Sequence, residues 1–113
     1  MKLVINVCYG GFGLSDKAFI CYLNKKGIKF TREKSEWSSL GDNFYNENGE
    51  FLSDYNLDRS DSVLIGIVEE LGSKEASGMG AELKIIEIPD GIEYEIEEYD
   101  GVEWVAEKHR TWN

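Results

Sequence analysis

Apolar and polar positions divide the chain into an opening strand, two helices and a strand-rich last third, with a loosely patterned stretch between the helices. Lys2 to Tyr9 is dense in β-branched and apolar side chains and reads as a largely buried strand. Gly10-Gly11-Phe12-Gly13 ends it. Ser15 then has the side chain of an N-cap, Asp16 suits the positive end of a helix, and Leu14 and Phe19 stand at hydrophobic-staple spacing. The helix that follows buries Ala18, Phe19, Tyr22 and Leu23, and Gly27 supplies a left-handed stop. In the second helix Val63, Leu64, Ile67, Val68 and Leu71 form one apolar stripe, with Ser60 or Asp61 as cap and Gly72 at its end. Ser73 to Gly80 reads as a loop or a single helical turn.

The last third carries three strand-like runs, Leu83 to Ile88, Ile92 to Glu98 and Val102 to Glu107, separated by Pro89-Asp90-Gly91 and Tyr99-Asp100-Gly101. This predicts a three-stranded antiparallel meander. A three-residue loop with Gly101 left-handed pairs Glu98 with Val102, Ile96 with Trp104 and Tyr94 with Ala106, and gathers an apolar face to which Ile86, Ile88 and Ile92 add. The same register places Glu87, Glu93, Glu95, Glu97, Glu103 and Glu107 together on the opposite face, with Leu83, Ile85 and Val105 among them. That face is read in two ways: as an electrostatic patch for a basic partner, or as a sheet surface kept wet by charge.

Between the helices, Ile28 to Asp58 is polar and turn-rich, yet it holds Trp37, Phe44, Tyr45, Phe51 and Tyr55. A short strand at Ile28 to Thr31 and a satellite hydrophobic cluster are expected there, in preference to an aromatic recognition surface.

With 113 residues, 42% of them apolar and 12% aromatic, the chain is expected to fold as a single domain (residues 1–113) in spite of a net charge of -10. Twenty-two acidic residues against 12 basic ones repel DNA, RNA and anionic lipid, so neither direct nucleic-acid binding nor membrane binding is expected. The opening apolar run is too short for a membrane span or a signal segment. Cys8 and Cys21 lie in apolar patterns and read as reduced core thiols of a cytoplasmic protein.

Candidate chemistry is sparse. Tyr9, Gly10, Gly11, Phe12, Gly13 and Ser15 form a strand, glycine loop and helix start that can in principle hold an anion, although the loop has neither a dinucleotide fingerprint nor the lysine of a phosphate loop. A plain tight connection is the preferred reading. His109 is the single histidine, and with Cys8 and Cys21 it makes no recognised zinc spacing, so no metal and no cofactor are expected. The Asn46 to Gly49 turn resembles part of a calcium loop, but Phe44 and Tyr55 stand where oxygen ligands are required. No pair of carboxylates is set in contrasting environments, and no enzyme is expected. The basic, aromatic tail around His109 reads as a closure over neighbouring acids.

Two blocks of the chain, Val4 to Ser15 (VINVCYGGFGLS) and Ile96 to Trp112 (IEEYDGVEWVAEKHRTW), resemble a group of small, uncharacterised proteins of phages and prophages. Glu69 to Gly72 and Leu83 to Gly91 extend the resemblance, which leaves out the Ile28 to Asp58 excursion. It implies a setting, the cytoplasm of a bacterial host, and no residue roles. By analogy, small phage proteins without catalytic signatures bind and block host factors.

The expectation is therefore an α+β fold: an antiparallel C-terminal meander and an N-terminal strand, packed by two helices. The expected function is non-enzymatic binding of a host protein, defence-related in one form, whose basic surface the acidic face would occupy in competition with nucleic acid. Two alternatives stand beside it. One is a protein that sequesters a small nucleotide-like signal in the glycine loop and aromatic excursion, and the other is an enzyme acting on such a nucleotide. Oligomeric state is not readable from the chain.

Overall fold

The structure is a computed structural model that describes residues 1–34, 42–54 and 56–108. It is a mixed α+β arrangement of β1 (Lys2–Asn6), α1 (Asp16–Lys25), β2 (Thr31–Glu33), β3 (Asn43–Tyr45), β4 (Phe51–Leu52), α2 (Ser62–Ala76), β5 (Leu83–Glu87), β6 (Tyr94–Tyr99) and β7 (Val102–Glu107). All strand pairing among the described residues is antiparallel and falls into three small sheets: β1 with β5, β2-β3-β4, and β6 with β7.

Local signals set the helices. The Ser15 hydroxyl accepts from the Ala18 N–H at 3.1 Å, which satisfies one of the orphan donors of α1. At the other end Gly27, with φ +71, lets its own N–H reach the Asn24 carbonyl and the Ile28 N–H reach that of Leu23. Asp61 caps α2 through the Val63 N–H at 2.8 Å. Gly72 (φ 82) breaks the helical path inside α2, so the stripe from Leu64 to Leu71 ends where the sequence places its stop and Ser73 to Ala76 adds a separate turn.

Packing then stacks these elements. One side of β1 and β5 gives Val4, Leu83 and Ile85 to a cluster with Leu64, Ile67 and Val68 of α2, and α1 adds Ala18, Phe19, Tyr22 and Leu23. Leu64 and Ile67 are fully buried, and each such side chain contributes about 1.5–3 kcal/mol. The small sheet of the excursion is pinned by Phe44, whose ring meets that of Phe19 edge-on at 5.2 Å and that of Phe30 at 5.7 Å. Of the aromatics expected in a satellite cluster, Phe44 joins the main core, whereas Phe51 is exposed beside Tyr45. The expected short strand lies slightly later, at Thr31–Glu33, while Trp37, Tyr55 and His109 fall outside the described residues.

The last third departs from the expected meander in two respects. Leu83–Glu87 pairs with β1, and only β6 and β7 form a hairpin. Within that hairpin Asp100 (φ 51) and Gly101 (φ 90) are both left-handed and make a two-residue turn. Tyr99 therefore faces Val102, Glu97 faces Trp104 and Ile96 faces Val105. This is one residue away from the expected register, and the slip turns every β7 side chain to the other face.

Leu3 and Ile5 are also buried, on the side of β1 opposite Val4, and β7 is the strand that packs against β1. The two-stranded sheet thus packs on α2 through one face, while on the other side β7 reaches β1 alone and Lys84 of β5 stays exposed. Among the described residues no helix is long and apolar enough to cross a membrane.

Candidate functional site

The glycine loop and the hairpin turn meet in one place, and the contact is backbone against backbone. A Cβ on Gly10 would lie 2.0 Å from the Gly80 carbonyl oxygen, and one on Gly101 would lie 2.3 Å from the Tyr9 carbonyl oxygen. Side chains of any size are excluded at both positions. The loop is also zipped to the end of α2: the Ser15 N–H donates to the Ala76 carbonyl, the Gly78 N–H to that of Gly13, and the Ser15 hydroxyl to that of Glu75.

Asn6 lies beneath this junction, fully buried, with both side-chain polar atoms engaged. Its amide nitrogen donates to the carbonyls of Cys8 (2.6 Å) and Gly101 (2.7 Å), and its side-chain oxygen accepts from the Glu82 N–H (2.8 Å). Its backbone N–H donates to Glu103 Oε1 at 2.8 Å. Glu103 is 9% exposed and receives both Arg59 terminal nitrogens, at 2.6 and 2.8 Å. The Arg59 guanidinium lies 3.6 Å from the centroid of the Phe12 ring. A recess of about 190 Å³ is lined by Gly11, Phe12, Arg59, Glu98, Gly101 and Glu103.

The backbone of Tyr9, Gly10, Gly13 and Ser15 meets the ends of α2 and of the hairpin, Phe12 stacks on the largely buried Arg59, and Gly11 lines the recess beside them. The Leu14 N–H, which would meet an anion at the start of α1, donates to the Asp54 carboxylate at 2.7 Å. The Asn46 side chain accepts from the N–H groups of Asn48 and Glu50, so it closes the turn between β3 and β4. Among the described residues no group of three His, Cys, Asp or Glu side chains could hold a metal ion, and both cysteines are free thiols.

The six glutamates expected on one face are distributed over three places. Glu95 and Glu97 stand on the outer face of the hairpin, and Glu93 continues that row, with its carbonyl accepting from the Lys108 N–H. Glu103 and Glu107 belong to the inner face, where Glu103 is buried against Arg59. Glu87 sits opposite Lys2 in the other sheet. The physical reason is the two-residue turn, which sends Glu103 inward and Trp104 outward. Trp104 is 43% exposed and donates its indole N–H to Glu97 at 2.9 Å, and Tyr99, beside the turn, is 75% exposed.

The largely buried Arg59 cation has no signal in the sequence, and Trp104, expected on the apolar face, is instead a surface residue. The Asp100-Gly101 pair was the available signal, because such pairs favour two-residue hairpin turns. The outer face is therefore acidic and aromatic: Glu93, Glu95 and Glu97 with Tyr99 and Trp104. No family model, curated protein or solved structure matches the chain, so these residues alone carry its functional reading.

Proposed function

We propose that the chain is a non-enzymatic binding protein that docks a basic surface of another protein through the outer face of the β6–β7 hairpin. The observation that carries this reading is an acidic row flanked by two exposed aromatics on a hairpin whose residues take no part in the main hydrophobic cluster. Aromatic side chains ringed by charge suit a protein interface, where the rings supply contact area and the charges steer the approach. In the setting implied by the resemblance to phage and prophage proteins, the partner is a host protein that ordinarily holds nucleic acid, and docking blocks it. The small-ligand alternative has less support, since the polar groups around the Arg59 recess bind one another.

The test is capture of partners from bacterial lysate by the wild type and by a Glu93→Lys/Glu95→Lys/Glu97→Lys variant. A basic protein held at low salt, released above about 0.5 M salt and absent from the variant is expected. Equal capture of that protein by the variant rejects the reading.

A further inference from the structure

Among the described residues one free strand edge is covered and another is left open. On β1, the edge turned away from β5 is closed: the Val4 N–H donates to the Arg59 carbonyl at 3.0 Å, and the Asn6 N–H donates to Glu103. On the hairpin, β6 packs against no element other than β7 among the described residues. Antiparallel ladders alternate, and the bond from the Lys108 N–H to the Glu93 carbonyl fixes the phase. The odd-numbered residues of β6 therefore bond to β7, while the N–H and C=O groups of Tyr94, Ile96 and Glu98 point away from it.

We infer that this edge receives an extended basic segment of a partner as an added antiparallel strand. The inference rests on the reading of the hairpin as the docking element and names the chemistry of what docks there. An added strand bonds to the outward groups of Tyr94, Ile96 and Glu98, which places its alternate side chains directly opposite Glu93, Glu95 and Glu97. Those positions are the close, non-hydrogen-bonded pairs, with Cβ atoms about 4.5–5.5 Å apart. Lysine or arginine at every second position of the incoming strand then meets a glutamate at each step. A second copy of β6 is excluded by the same geometry, because it sets glutamate against glutamate. The edge is closed to itself and open to a strand of opposite charge.

The experiment uses the full chain and a synthetic peptide of alternating lysine and valine, with amide hydrogen exchange followed residue by residue. Two controls accompany it: the same peptide N-methylated on the backbone nitrogens of its pairing edge, and a peptide of equal composition with its lysines in one block. The inference expects exchange at Tyr94, Ile96 and Glu98 to slow by about tenfold or more with the alternating peptide, and both controls to lose that protection. Binding that leaves these three amides exchanging as before, or that survives N-methylation, overturns the added strand while leaving an acidic docking face. No binding of any of the cationic peptides at low salt counts against the docking reading itself, and the inference falls with it.

Discussion

Glu103→Ala is the substitution from which the fold predicts the largest local effect for the fewest atoms removed. The carboxylate accepts three hydrogen bonds, two from Arg59 and one from the Asn6 backbone, inside a region where Arg59 is only 13% exposed. Truncation leaves a guanidinium held between the Phe12 ring and the Val4 carbonyl with no counter-charge. Breaking a buried pair from one side costs about 3–5 kcal/mol, and the orphaned Asn6 N–H adds about 1 kcal/mol or more. Against a total stability of about 6–17 kcal/mol for a domain of this length, a loss of about 4–6 kcal/mol is a large share. Urea unfolding reads it directly, with the slope checked for a change in the surface exposed. The double variant Arg59→Met/Glu103→Leu removes both charges and should recover part of the loss, giving a coupling energy of about 2–3 kcal/mol. Single variants that each cost under about 1 kcal/mol, or that add without coupling, would refute the reasoning that this pair fastens the hairpin to β1.

Three further outcomes follow. Gly10→Ala drives a methyl group into the Gly80 carbonyl and should cost about 1–3 kcal/mol or more, whereas Gly66→Ala, in α2 with open space around it, should gain about 1 kcal/mol; thermal melts of both variants test the contrast. At the junction of α1 and α2, burial would by itself raise the Asp61 carboxyl, but the Lys26 ammonium at 2.6 Å, the Val63 N–H and the Tyr22 hydroxyl together hold it below its ordinary value. Its folded pKa is depressed, so its contribution is present above about pH 4 and fades as the pH falls below that; Asp61→Asn should flatten the acid limb of a stability profile. Burial, reinforced by the Asp61 charge, raises the Tyr22 phenol, so its contribution is present below about pH 10 and is lost at higher pH. Tyr22→Phe should remove that alkaline loss, as read from chemical denaturation across pH.

What the sequence made legible was local. Ser15, Gly27 and the stripe from Leu64 to Leu71 act within a few residues of themselves, and each lies where its pattern places it. The observed hairpin register departs from the one that makes a single face wholly apolar. The inner face in fact includes Glu103, which is tolerated there only because Arg59, 44 residues earlier in the chain, comes to meet it. The strand Leu83–Glu87 was assigned to its sequence neighbour, whereas its partner β1 lies some eighty residues away and carries no mark of that pairing. The acidic character of the hairpin was legible, but the exposure of Trp104 was not, because it depends on the same turn.

The position of β1 has a consequence for the order in which the chain can assemble. Its ladder partner is β5, its opposite face is covered by β7, and Asn6 closes on Gly101 and Glu103. β1 leaves the ribosome well before both β5 and β7, so Leu3, Val4 and Ile5 stay unpaired until those later strands have emerged. The two helices and the small sheet between them have near neighbours in sequence and can consolidate first. Contacts that span nearly the whole chain make closure of β1 the slow step, and an unpaired apolar strand is the species most prone to misassociate during that wait.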